Sequence, residues 1–203
     1  MTKRKLVLAA VLCGSVFSAA AWSAGDAEKG AAKAVVCSAC HGANGNSANP
    51  EWPSLAGLGA DYIAAQLNNF KEGKRQNPVM MPNAMALSAE DMADLGAYFN
   101  GLKNTGLESD PSYWEAGQKL FRAGDAARGI PACMACHGPA GRGNEAAKFP
   151  ALRGQQSVYT VKQLTDYASG ARKTGPNEIM QSIAKKLTAD DMRDVASYLQ
   201  GIR

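Results

Sequence analysis

Two stretches of the chain carry the same apolar stripe at an offset of 100 residues. Met92, Leu95, Gly96, Phe99 and Leu102 recur at helical spacing, and Met192, Val195, Ala196, Leu199 and Ile202 repeat them. Each stripe follows a capping-box signature, Ser88-Ala89-Glu90-Asp91 in the first case and Thr188 onward in the second, so the pattern predicts two capped helices. A middle helix is expected with Asp61 as its cap, with Ile63, Leu67 and Phe70 on one face and Gly73 as its stop. Residues 26–36 are Ala-rich and charged on one side, which suits a first helix. No stretch alternates apolar and polar positions long enough to argue for a sheet, so the expected class is all-α. At the start of the chain, Lys3, Arg4 and Lys5 precede an uncharged apolar run from Leu6 to Ala21. The run is shorter than the ~20 residues of a spanning helix and ends in Ala21-Trp22-Ser23, so residues 1–23 read as a cleaved export leader. Cys13 leaves with it.

The stripe is one part of a longer internal repeat. Cys37 matches Cys133 at an offset of 96, and Trp52-Pro53-Ser54-Leu55 matches Phe149-Pro150-Ala151-Leu152 at 97. Tyr62 to Leu67 matches Tyr159 to Leu164, and Gly73 and Arg75 match Gly170 and Arg172, again at 97. Tyr98 and Gly101 match Tyr198 and Gly201 at 100. The chain therefore reads as two copies of one domain, residues 24–105 and 106–203, with small insertions in the second. The polar, turn-rich stretch from Lys103 to Pro111 joins them. Each copy has about 80–100 residues, a size at which one core is marginal. A large apolar group at its centre would relieve that.

Charge changes the picture only after the leader is removed. The formal net charge of +4 includes three leader cations, which leaves 19 Lys and Arg against 18 Asp and Glu. No nucleic-acid footprint remains. The first copy carries 6 basic and 8 acidic side chains, the second 13 and 10, so the balance is uneven along the chain.

After the leader is cut, four cysteines and two histidines remain, and all six lie in Cys37-Ser38-Ala39-Cys40-His41 and Cys133-Met134-Ala135-Cys136-His137. C-x-x-C-H is the attachment signature of c-type haem: two thiols reach the two vinyl groups of one porphyrin, and the histidine follows as proximal iron ligand. Disulfides are the default for an exported protein, but they leave the spacing unexplained. Zinc wants four ligands, and each motif supplies three. The expected cofactors are two covalently bound haem c groups, with iron as the metal.

No histidine is left for the sixth position, so methionine thioether is the expected partner, and it raises the reduction potential. Met80 and Met180 each stand seven residues before the matched Leu87 and Leu187, whereas Gln181 and Lys185 replace Met81 and Met85. Met92 and Met192 also match but sit on the apolar stripes, where methionine is usually core. The repeat favours Met80 and Met180, with Met81 the rival in the first copy. Trp52-Pro53 and Phe149-Pro150 are expected either as pocket walls or as plain loop packing. Arg75 and Arg172 precede the methionine loops and would either meet propionates or lie in solvent. Tyr98 and Tyr198 are expected to pack near Gly30 and Gly117, where a close helix crossing needs a small residue.

The tandem motifs with their following His-Gly, the W/F-P-x-L segments, the Y-x-x-x-Q-L helices, the downstream methionines and the L-S/T-A-x-D caps resemble the cytochrome c4 family. The resemblance spans Ala24 to Arg203. It implies an all-α fold of two tandem cytochrome c-like domains, each wrapped around one haem and facing the other across a pseudo-two-fold axis. It also implies a periplasmic electron carrier without catalysis, passing single electrons from the respiratory chain to terminal oxidases or other acceptors. Carried over by motif, Cys37, Cys40, Cys133 and Cys136 hold the porphyrins, and His41, Met80, His137 and Met180 ligate iron. Partners would be redox proteins, with peripheral membrane association compatible. Two rival functions share the motifs. A di-haem peroxidase needs an open iron, and an electron-entry subunit of a membrane oxidase or dehydrogenase complex differs only in its partner.

Overall fold

The computed structural model describes residues 25–202; the leader expected over residues 1–23 lies outside them. Helices α1 (Ala27–Lys33), α2 (Val35–His41), α3 (Ala60–Lys71), α4 (Met80–Met85) and α5 (Ala89–Gly101) form the first half. Helices α6 (Trp114–Ala123), α7 (Met134–His137), α8 (Ser157–Ser169), α9 (Ile179–Ala184) and α10 (Ala189–Gly201) form the second. Among the described residues there is no strand, only two isolated bridges, so the all-α expectation holds. No helix among them is long and apolar enough to cross a membrane.

Both halves are built around their last helix. α1 and α3 pack on α5, and α6 and α8 pack on α10. The two crossings at the start of each half depend on glycine. A Cβ at Gly30 would stand 2.9 Å from the Tyr98 Cβ and nearer still to the Asp94 carbonyl. At Gly117 the same atom would stand 2.8 Å from the Tyr198 Cβ and nearer still to the Asp194 carbonyl. Burial then follows the stripes. Leu95 and Phe99 close a core with Ile63, and Val195 and Leu199 close a separate one with Leu120 and Phe121. Met92 and Met192 are buried in these helices, as their stripe position implies.

The capping boxes form as read. Ser88 Oγ accepts from Asp91 N at 3.1 Å, and Asp91 Oδ2 accepts from Ser88 N at 2.7 Å. Thr188 and Asp191 repeat the pair at 3.1 and 2.8 Å. The Asp61 expectation fails: α3 starts two residues earlier than that cap implies, with Gly59 at the cap and Asp61 in the first turn. There a carboxylate still favours the helix through its dipole. Gly73 follows the helix end with φ 69°, the left-handed conformation a stop needs.

The second half is longer between its first helix and its motif. Gly117 follows Gly30 by 87 positions, while Cys133 follows Cys37 by 96. The extra chain forms a loop over 124–132, closed by Asp125 and Ile130, whose backbones exchange two 2.8 Å hydrogen bonds. Arg128 on this loop ties Asp125 to Asp191 of the α10 cap. A further insertion appears as the 3-10 turn Pro176–Glu178 before α9.

The halves meet through a reciprocal clasp. Arg75 donates to Gln66 at 2.9 Å on its own side and to Tyr159 and Gln163 at 2.8 and 2.7 Å across the interface. Arg172 donates to Gln163 at 2.8 Å on its own side and to Tyr62 and Gln66 at 3.0 Å each across it. Each guanidinium also stacks on a ring of its own half, Phe70 or Tyr167. These arginines are 8% and 5% exposed, so the solvated alternative is wrong. The arginines hold the Tyr62 hydroxyl below its ordinary pKa although burial works the other way. A second seam lies beside it. Gln155 accepts from Ser54 N at 2.8 Å and donates to Ser54 O at 2.9 Å, and Gln156 donates to Ser47 O at 2.6 Å.

Three outcomes follow from this packing. Gly117→Ala should lower stability by about 1–3 kcal/mol in denaturant unfolding, because its methyl group meets backbone that cannot retreat. Arg172→Leu removes the donor to Tyr62 and Gln66, and calorimetry should then show two unfolding transitions where the parent shows one. Asp191 is held at about 2 by Arg128 and the cap. Its folded pKa lies below its unfolded value, so its contribution is complete above about pH 4 and disappears as pH falls through about 2. Acid unfolding of Asp191→Asn should lack that component.

Candidate haem sites

Each motif folds into a short helical segment that brings its two thiols and its histidine to one side. α2 continues from α1 after Ala34 and ends at His41, with Gly42 at its cap. α7 is shorter because the 124–132 loop delivers the chain to Cys133, but it too ends at its histidine, with Gly138 next. Gly42 and Gly138 have φ of 83° and 79°, which turns the chain sharply away behind each ring. The four cysteines form no disulfide. Burial pushes the Cys37 thiol up and the Cys133 thiol up to about 11. No three His, Cys, Asp or Glu side chains converge as a metal cluster among the described residues.

The two histidines are held alike. His41 Nδ1 donates to the Pro53 carbonyl at 2.8 Å, and His137 Nδ1 donates to the Pro150 carbonyl at 2.8 Å. Each ring is 7% exposed, and burial holds its pKa below the ordinary value against that hydrogen bond. The arrangement keeps both imidazoles neutral with the proton on Nδ1. Nε2 is left as a lone-pair donor, the state an iron ligand requires. The sequence suggested only a wall or loop role for the W/F-P-x-L segments. Their proline carbonyls supply the orienting bond, and the proline conservation between copies was the available signal. The aromatic partners differ. Phe149 lies with its ring centroid 6.1 Å from that of His137, whereas Trp52 is 38% exposed.

The methionines separate by burial. Met92 and Met192 are 3% and 7% exposed within the helical cores, and Met85 is 58% exposed. Met80, Met81 and Met180 are partly buried on α4 and α9. In both short helices the residue four positions after the matched methionine, Ala84 or Ala184, is fully buried, so the two segments keep one register. α4 packs on α3 and α9 on α8, the helices that carry the arginine clasp. The residues present fit two haem groups: paired thiols, an adjacent neutral imidazole and a methionine-bearing helix in each half.

Comparison with known proteins agrees. The family model for cytochrome c matches residues 27–103 and again 114–203. Cytochrome c4 of Pseudomonas aeruginosa is 47% identical over 183 residues, 90% of this chain and 91% of that protein. The structure of reduced recombinant cytochrome c4 from Pseudomonas stutzeri superposes with a TM-score of 0.86 at 43% identity, covering 89% of this chain and all of that one. A thiosulfate dehydrogenase electron acceptor of Stutzerimonas stutzeri is 38% identical, over 83% of this chain and 80% of that protein. With two attachment motifs, two matched domains and this similarity along almost its whole described length, the chain belongs to the cytochrome c4 family of di-haem electron-transfer cytochromes and carries two covalent haem c groups.

Proposed function

We propose that the chain is a periplasmic carrier without catalysis of its own, with His41 and Met80 as the axial pair of one haem and His137 and Met180 as that of the other. The domains are 24–105 and 106–203, behind a leader over 1–23. Haem iron supplies reversible one-electron exchange. The observation that supports carrier over enzyme is the matched pair of sites. Each histidine is fixed by a proline carbonyl at the same 2.8 Å, and each half offers a methionine at the same place in a short helix. An iron held by both a histidine and a methionine would leave no position open to substrate, and the peroxidase alternative would lose its requirement. The chain's own residues then act by holding still. The buried imidazoles keep one tautomer, the apolar cores exclude water, and the cross-domain clasp keeps the two sites at constant separation.

Redox proteins are the partners. A respiratory-chain donor and a terminal oxidase fit the family. The relative described as an electron acceptor of thiosulfate dehydrogenase adds a dehydrogenase as an alternative donor. In that setting the chain would serve as an electron-entry subunit, with the same chemistry and a different neighbour. Peripheral membrane association fits either partner.

The ligand assignment has a direct test. The oxidised holoprotein should show the near-infrared sulfur-to-iron charge-transfer band for both haems. Met80→Ala should remove half of it, and Met180→Ala the other half. A full band in Met80→Ala would move the assignment to Met81. Wild-type protein should show two high-potential, low-spin steps and negligible peroxide turnover.

A further inference from the structure

A cleft of about 340 Å³ opens between the two domains. Three cations line it: Lys103 from the start of the linker, and Arg142 and Arg153 from the second domain. The chain holds them together. Arg153 N donates to the Gly141 carbonyl at 3.1 Å, which sets the two arginine-bearing segments side by side. The Lys103 carbonyl accepts from Asn46 Nδ2 at 3.0 Å, which fixes the linker at the mouth. None of the three cations has an ion pair or side-chain hydrogen bond among the described residues. The acid on the same wall, Glu145, is taken by Asn100, which donates to its Oε1 at 2.8 Å.

This is an unusual outlay of like charge. Elsewhere on the second domain Arg128 and Arg193 are each bound to two carboxylates. Here burial and the neighbouring Arg142 together hold the Arg153 guanidinium below its ordinary pKa. A half-enclosed cleft with three cations against one carboxylate concentrates anions, and the arginine fork suits an oxyanion. Neither arginine belongs to the repeat: Asn46 and Ala56 occupy the matching places in the first domain.

We propose that Lys103, Arg142 and Arg153 form a binding site for a small multivalent oxyanion of the phosphate or sulfate type, and that its occupancy lowers the reduction potential of the second haem. The link to that haem is Phe149, which lines the cleft and lies 6.1 Å from the His137 ring, centroid to centroid. Unpaired cations on the far side of Phe149 favour the reduced state, which carries one positive charge fewer. A bound anion offsets them and favours the oxidised state. The first haem, in the other domain, is affected less.

The test uses the holoprotein. Inorganic phosphate is titrated at fixed ionic strength, with chloride as the balancing salt. Potentiometry is followed by NMR of the haem methyl groups so that the two haems are read separately. Phosphate should lower the second haem's potential selectively and saturably. The double variant Arg142→Gln, Arg153→Gln should start from a lower second-haem potential and need at least about tenfold more phosphate for the same response. Lys119→Gln, a one-charge change on the exposed face of α6, should respond like the parent. The charge-transfer band reports that each variant is folded and ligated. The proposal is overturned if phosphate acts no differently from chloride, if the double variant responds like the parent, if Lys119→Gln loses the response equally, or if the first haem shifts as much as the second.

Discussion

Two guanidinium groups are buried at the domain junction, and among the described residues neither has an ion pair. Arg75 and Arg172 each lose their water and recover hydrogen bonds from a glutamine of their own half and from a tyrosine and a glutamine of the other. A desolvated charge is tolerated only when its donors are used. Neither domain alone can use them, since most acceptors stand on the opposite half. Separation of the halves would break the four bonds that cross the junction, from Arg75 to Tyr159 and Gln163 and from Arg172 to Tyr62 and Gln66. The clasp therefore makes two small domains one body, and the helices it binds, α3 and α8, are those against which the methionine helices pack.

Within each domain the same economy recurs on a smaller scale. Glycine at the α1–α5 and α6–α10 crossings lets backbones approach until a methyl group has no room. That contact sets the first helix, and the first helix sets where the attachment motif begins. The second domain inserts a loop at this point and still returns its histidine to the same environment, with the same bond to a proline carbonyl. Arg128 stabilises the inserted loop by tying it to the α10 cap, so the detour is anchored to the element the core is built on.

The two sites are alike in their immediate bonds and unlike in their surroundings. One histidine has Phe149 beside it and a cationic cleft behind; the matching aromatic of the other, Trp52, is half in solvent. With the proposed His–Met pair at both sites, differences of this kind are what remains to set two potentials apart. An electron carrier with two centres gains direction from such a difference, and the rigid junction keeps it constant as partners come and go.

The sequence alone determined the haems, the repeat and the helical caps, because each is a short-range pattern. Thiol spacing fits one porphyrin, and a Ser or Thr three residues before Asp caps a helix wherever it lies. It also exposed the close crossings, since Gly30 and Gly117 face matched tyrosines. It misread Asp61, because the side chain suited to a cap lies two residues past the boundary, and the helix starts at Gly59 with no side-chain cap bond. It left Arg75 and Arg172 between solvent and propionate, and it saw nothing in Gln155, Gln156 or the proline carbonyls. Those roles belong to pairs about 85 to 110 residues apart, or to backbone atoms that every residue carries. Only the tertiary structure brings such groups together, and only then does burial decide which of them must be bonded.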